Sequence, residues 1–376
     1  MTTFKYNKQI IAAIDIGAGL GTKISIADIK EFQTRCLRES LIKREDYGIG
    51  HEQFIDNLIN ILKTMMADAS LNFNQLCSIG VSIPGFADDN QNIISCNNLL
   101  FLDDTDIVNQ LSSGCNNAPV SVINDGDCGA LALFNIHHIQ LLYWAFGGGW
   151  GGSWISAKGN ICFPTQNWDK KDKSIHPTNE PGYVGKLLKK DLEKIFKNHN
   201  APWDKFLQNF AIETKVDINK ILGPENDPES LRAETCVSGK GLWRIFLSLM
   251  LDNEFNSLPE DLQIKLLNPG AAGPVICNLY KQNHHTAKKA ISLFRNIFGK
   301  AAIDILLIAI KDGAPADIPI FLGGGLARAF DLFAPQVNKI LNKTEIKSTI
   351  MPCDFLETGQ NASIMGAFYL ASQNIS

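Results

Sequence analysis

Asp15-Ile16-Gly17-Ala18-Gly19-Leu20-Gly21-Thr22-Lys23 is the stretch whose reading decides the fold. It follows the apolar run 10–14 and precedes a second run, 24–27, as the turn of a hairpin would. Glycine lets a backbone take positive φ and lets amide groups approach a ligand with no Cβ in the way. A glycine turn at a strand end is therefore a candidate phosphate cradle. Two more such turns lie further along. Gly147-Gly148-Gly149-Trp150-Gly151-Gly152 follows the run 141–146, and Gly323-Gly324-Gly325-Leu326 follows the run 318–322. One turn alone would be weak evidence. Three, each after a buried strand and with Asn124-Asp125 between the first two, point to two nucleotide-gripping half-sites facing a carboxylate.

The rest of the chain is compatible with that reading. At 376 residues it is too long for one ordinary core, so two domains are expected. The apolar fraction of 45% and charged fraction of 20% are those of a globular protein. A net charge of −4 without a basic block disfavours nucleic-acid binding. The nine cysteines are widely spaced and form no CxxC pair, so a disulfide scaffold is not expected and a reducing cytoplasm fits. No run approaches the roughly 18 apolar residues of a membrane span.

The pattern alternates strands and helices. Helices are expected over 52–66, 128–135, 186–197, 286–312 and 366–371, and strands over 79–83 and 120–123. The second glycine turn is flanked by 141–146 and 153–156, which repeats the strand–turn–strand of the N-terminus and suggests an internal duplication. Residues 158–182 read as a long polar loop, and 198–232 as a helix-and-loop insertion.

Asp125 is the foremost catalytic candidate. A carboxylate at a strand end, where a helix begins, is placed to accept a proton from a substrate hydroxyl. Asn124 offers amide hydrogen bonds beside it; a capped Asn-Asp-Gly turn is the structural alternative. Asp15 suits Mg²⁺, held through water beside nucleotide phosphates, and Thr22 and Lys23 offer a hydroxyl and a cation to those phosphates. Asn98, Glu180 and Tyr183 have side chains suited to sugar hydroxyls, and Glu234 precedes a glycine-containing helix boundary at 237–242. Trp150 either stacks on a ligand or packs internally. His176, His284 and His285 lack metal-ligand spacing.

Together these residues resemble the glucokinase and ROK sugar-kinase branch of the actin-like ATPase superfamily. Asp15 to Lys23 resembles its first phosphate motif, with Gly17 and Gly21 in the turn. Gly147, Gly148 and Gly149 resemble the second phosphate motif, and Gly323, Gly324 and Gly325 the adenosine motif. Gly80-Val81-Ser82-Ile83-Pro84-Gly85 is similar to the family's Gly-x-x-x-Pro-Gly segment, and Asn98 falls where a sugar-binding asparagine is usual. Asn124-Asp125 matches the Asn-Asp whose aspartate is the catalytic base. Glu180-Pro181-Gly182-Tyr183 is similar to a Glu-Gly-Gly-His sugar motif, and Glu234 opens a segment similar to Glu-x-x-x-Ser-Gly-x-Gly-Leu.

The resemblance implies two actin-like α/β domains around a nucleotide cleft. The first would span 1–140, with a C-terminal helix at about 356–376 returning to it. The second would span 141–355, with a helical insertion at about 186–260. It implies an ATP- and Mg²⁺-dependent hexose kinase that carries no structural zinc, because the family's zinc motif of a histidine followed by clustered cysteines is missing. Three departures stand out: the first turn is longer by about two residues, Gly148 replaces a threonine, and Tyr183 replaces the sugar-site histidine. A phosphotransferase or ATPase with a non-glucose substrate, and a sugar-responsive binding protein without catalysis, stay open beside it. Nine residues precede the first strand, so no helix-turn-helix and no DNA binding are expected. The sequence admits a homodimer and does not name the sugar.

Overall fold

The computed structural model describes residues 8–375 apart from 18, 20, 34, 49, 88–90, 92, 97, 98, 163–179, 222, 224, 225 and 359. Strands β1 (Ile10–Ile16) and β2 (Thr22–Asp28) form a hairpin around the first turn, and β3 (Arg38–Ile42) extends it antiparallel. After α1 (His51–Asp68) comes β4 (Leu76–Ile83), then a small hairpin of β5 (Phe86–Ala87) and β6 (Ile93–Ser95). Helix α2 (Ile107–Gly114) leads to β7 (Val120–Asn124) and α3 (Asp125–His137). The sheet order is β3-β2-β1-β4-β7, with β4 parallel to both β1 and β7.

The second half repeats this plan. Strands β8 (Leu141–Phe146), β9 (Trp150–Ile155) and β10 (Ile161–Cys162) form the antiparallel part. A helical region follows: α4 (Pro181–Val184), α5 (Lys189–Asn198) and α6 (Trp203–Thr214), with β11 (Lys186–Leu188) and β12 (Ser230–Arg232) paired beside them. It continues through α7 (Ala233–Cys236), α8 (Gly239–Leu249), α9 (Asp252–Asn256), α10 (Glu260–Leu267), α11 (Pro269–Lys281) and the long α12 (His285–Lys311). The chain ends with β13 (Ile320–Gly323), α13 (Phe330–Leu341), β14 (Ile350–Pro352), α14 (Phe355–Thr358) and α15 (Ala362–Gln373). The order is β10-β9-β8-β13-β14, with β13 parallel to β8 and β14. The two sheets thus share strand order and strand direction, and the duplication suggested by the two hairpins extends to whole sheets.

Strand β1 shows why the sequence folds this way. Ile10 to Ile14 are all fully buried, as expected of a central strand covered on both faces. Successive side chains point to opposite faces. Ile10, Ala12 and Ile14 join Leu58, Leu62 and Leu111 of α1 and α2 in one core. Ile11 and Ala13 join Cys128 and Leu133 of α3, Phe368 of α15, and Tyr143 and Phe321 of the second sheet in another. Each buried isoleucine stabilises by about 1.5–3 kcal/mol. Helix α15 packs on β1, β4 and α3, and α3 packs on β8 and β9, so these two helices form the layer between the sheets.

Three local expectations are revised. Residues 186–188 are a strand rather than the start of a helix, because they pair with β12 and bury Leu187. The second turn is shorter than its glycines suggest, since β9 already begins at Trp150. The 158–182 loop contains β10 and α4, while its middle, with His176, lies outside the described residues. All nine cysteines are free thiols. Among the described residues no helix is long and apolar enough to cross a membrane.

Candidate active site

Asp15 stands near the end of β1, opposite Lys23 across the hairpin. Ser82 Oγ donates to one of its carboxylate oxygens at 3.0 Å, and Asn361 Nδ2 donates to the other at 2.8 Å. Burial pushes its pKa up, while these two hydrogen bonds and the charge of Lys23 oppose the rise. One donor comes from β4 and the other from the residue that caps α15. Thr22 behaves differently from its expected role. Its side chain is fully buried, and its hydroxyl donates to Tyr47 Oη at 2.9 Å. Tyr47 in turn donates to the Gly17 carbonyl at 2.7 Å. The Thr22 hydroxyl thus braces the first turn from beneath, and Lys23 is the exposed polar side chain of the pair. Gly21, at φ +127°, backs onto the Ile42 carbonyl, so its role is to let β3 approach the turn.

Asn124 closes β7 and caps α3. Its Oδ1 accepts from the Gly126 amide at 2.8 Å, and its Nδ2 donates to the Gly85 carbonyl at 3.1 Å. Asn124 is buried, and both ends of its amide serve the protein. It therefore orients Asp125, whose own Oδ1 accepts from the same Gly126 amide at 2.9 Å. Burial, followed by the charges of Asp15 and Asp127, raises the Asp125 pKa to about 7. A carboxylate so poised holds or releases a proton near neutrality. Asp127 was not anticipated from the sequence. It is buried in the first turn of α3 and accepts a short hydrogen bond from Ser153 of β9, which ties the helix to the second sheet. Its position two residues after Asp125, on the first turn of a helix whose amides favour negative charge, was the available signal.

Glu180 and Glu234 approach from the second half. Burial pushes Glu180 up to about 8, with the charges of Asp125, Glu234 and Asp127 adding to it. Burial also raises Glu234, against the opposing charge of Arg232 and a hydrogen bond from the Trp150 backbone. A side chain added at Gly182 would meet Glu234 and Trp150, so α4, α7 and the start of β9 are in direct contact. Tyr183 lies under Arg232, whose guanidinium carbon is 4.3 Å from the ring centre. Burial and the charge of Glu234 raise the tyrosine pKa. Asn98 falls outside the described residues.

Gly147 and Gly148 are exposed between β8 and β9. The Gly239 amide at the start of α8 donates to the Gly147 carbonyl at 3.1 Å, which brings that helix end to the turn. A Cβ at Gly149 would lie 2.8 Å from Glu234 Oε2, so the second turn borders the carboxylate cluster. Gly323 is buried; Gly324, at φ +82°, sits against the Phe146 backbone, so the second and third turns adjoin. Trp150 packs internally, in an aromatic cluster with Trp144, Phe146 and Phe298. The structure thus places Asp15 and Asp127 within electrostatic reach of Asp125, and Asp125, Asp127 and Glu234 within reach of Glu180, with Glu234 against the second of two adjoining glycine turns. Among the described residues no group of three or more His, Cys, Asp or Glu side chains is arranged to hold a metal ion.

Two duplicated five-stranded sheets with a carboxylate at the junction define the mixed α/β, two-domain fold of the actin-like ATPase superfamily. Residues 11–160 match the family model described as the ROK family. A ROK hexokinase from Thermus thermophilus superposes with a TM-score of 0.61 at 17% identity, covering 97% of this chain and 99% of that one. A ROK family glucokinase from Streptomyces griseus, solved with glucose and AMPPNP, gives 0.61 at 17% identity, with coverages of 97% and 99%. A ROK family transcriptional regulator, described as a homologue of the E. coli MLC protein, gives 0.66 at 13% identity, with 97% and 78% covered. No curated protein sequence matches the chain. At these identities the structural likeness establishes the fold, which serves both kinases and a regulator.

Proposed function

We propose that the protein is an ATP-dependent sugar kinase that transfers the γ-phosphoryl group to a hydroxyl of a hexose. The observation that carries this reading is Asp125, fixed by Asn124 and Gly126 at the junction of the two sheets and poised near neutrality. In this reading residues 1–140 with 356–376 form one domain, 141–355 form the other, and the acceptor lies between them. Asp125 accepts the proton of the attacking hydroxyl as its oxygen bonds to phosphorus and ADP departs. Glu180 and Glu234 hold neighbouring hydroxyls, with Asn98 as a further contact. Tyr183, stacked under Arg232, shapes the pocket where a histidine is usual in the resembling kinases. Asn124 acts by orienting Asp125.

The backbone at Gly147, Gly148, Gly149, Gly323, Gly324 and Gly325 would accommodate the nucleotide. Lys23 would offer charge to its phosphates. The Asp15 carboxylate, oriented by Ser82 and Asn361, would hold Mg²⁺ through water, and the ion would neutralise phosphate charge there. A cytoplasmic location belongs to the same reading. The retained carboxylate cluster favours catalysis over a purely sugar-sensing role, because a binding site has no need of a carboxylate held near neutrality.

The test is ADP release from Mg-ATP over a panel of hexoses, amino sugars and N-acetylated sugars. Turnover that depends on one sugar class, with a phosphorylated sugar as product, supports the kinase. ATP hydrolysis indifferent to every sugar would contradict it.

A further inference from the structure

The second glycine turn, Gly147 to Gly152, carries no hydroxyl and no cationic side chain of its own. At Gly148 a cationic side chain reaches the turn from elsewhere. A Cβ built on Gly148 would meet only Lys240, whose Cε would be 3.7 Å away. Lys240 is the second residue of α8, the helix whose first amide is already bonded to Gly147. The end of its aliphatic stem therefore lies beside Gly148, with the ammonium one bond further on at Glu213.

The partner of Lys240 does not depend on it. Lys240 Nζ is 2.9 Å from Glu213 Oε1, and the other oxygen of Glu213 is held by Arg244. Burial pushes Glu213 up, yet the bonds from these two cations bring its pKa net below the ordinary value. Arg244 is the fixed member: its side chain is only 5% exposed, it donates to the Thr235 carbonyl at 2.7 Å, and it stacks 4.6 Å from the Phe210 ring centre. Lys240 is 42% exposed. One buried cation suffices to neutralise one carboxylate, so Lys240 is the spare charge of the triad. A half-exposed ion pair contributes little to folding. A phosphate oxygen at the turn would offer the lysine a charge-assisted bond while leaving Glu213 paired with Arg244.

We propose that Lys240 is a phosphate-binding residue that swings from Glu213 to a terminal phosphate of the nucleotide, supplying the charge that the turn at Gly148 lacks. This rests on the kinase reading and extends it to a residue outside the three glycine turns. The experiment measures binding of AMP-PNP and of AMP, each with Mg²⁺, to wild type, Lys240→Met and Lys240→Arg. The expected result is a loss of AMP-PNP affinity of about tenfold to thirtyfold in Lys240→Met. Affinity for AMP, which lacks the terminal phosphates, stays within about twofold, and Lys240→Arg recovers most of the loss. Melting temperatures of the three proteins should agree within about 2 °C. An AMP-PNP affinity unchanged in Lys240→Met, or an equal loss for AMP, would overturn the assignment and leave the kinase reading standing. A wild type that binds neither nucleotide would overturn the kinase reading, and this inference with it.

Discussion

Replacing Asp125 by asparagine should make the protein more stable at alkaline pH, and the size of the gain follows from the site. Burial and the charges of Asp15 and Asp127 raise Asp125 from the ordinary aspartate value of 3.8 to about 7. A carboxyl raised on folding contributes its full stability below the unfolded value and loses it as pH climbs to the folded value. At about 1.4 kcal/mol per pH unit, the climb from 3.8 to about 7 amounts to about 4 kcal/mol lost by pH 8. Asparagine keeps an oxygen to accept from Gly126 and has no charge to desolvate. From pH 5 to pH 8 the advantage of Asp125→Asn over wild type should therefore widen by up to about 3 kcal/mol. Urea denaturation at the two pH values reads this as a midpoint gap that grows by about 1 M. A gap that stays constant, or a variant less stable than wild type at pH 8, would refute the claim that Asp125 is held ionised at a cost.

Other outcomes follow from the same geometry. In the wild type, kcat/KM for the acceptor should rise with pH through about 7 as Asp125 loses its proton, and a rate flat from pH 5 to 9 would count against the base. Gly324→Ala places a Cβ against the Phe146 backbone at positive φ and should destabilise by roughly 2 kcal/mol or more. Gly148→Thr meets only the Lys240 side chain at an ordinary distance and should stay within about 0.5 kcal/mol of wild type. Thr22→Val removes the hydroxyl that donates to Tyr47, leaving Tyr47 bonded to the Gly17 carbonyl alone, and should cost about 1 kcal/mol, measured by denaturation.

The fold was readable in the sequence because its strongest signals are local. Each glycine turn follows an apolar run that becomes β1, β8 or β13, and the runs flanking the first two turns become the hairpins β1–β2 and β8–β9. Asp15 and Asp125 were visible as carboxylates at a turn and a strand end, and Glu180 and Glu234 through the motifs they open; the structure sets Asp15 and Glu180 within electrostatic reach of Asp125, and Glu234 within reach of Glu180. What escaped the sequence depends on contacts between distant segments. Ser82 and Asn361 converge on Asp15 from 67 and 346 residues away. Thr22 looked like a phosphate ligand because nothing nearby announces Tyr47, 25 residues on. Residues 186–188 have helical periodicity, but pairing with β12 overrides it. Lys240 was invisible as a neighbour of Gly148 until α8 was seen to start against the second turn.

The central claim is that Asp125 is the base for phosphoryl transfer to a sugar. The most direct test compares single-turnover phosphoryl transfer in wild type and Asp125→Asn, using the sugar that supports turnover, beside AMP-PNP and sugar binding to both proteins. The account predicts a rate lower by about 10²–10⁴-fold in the variant, with both dissociation constants within about threefold of wild type. A variant that transfers phosphate at the wild-type rate would contradict it.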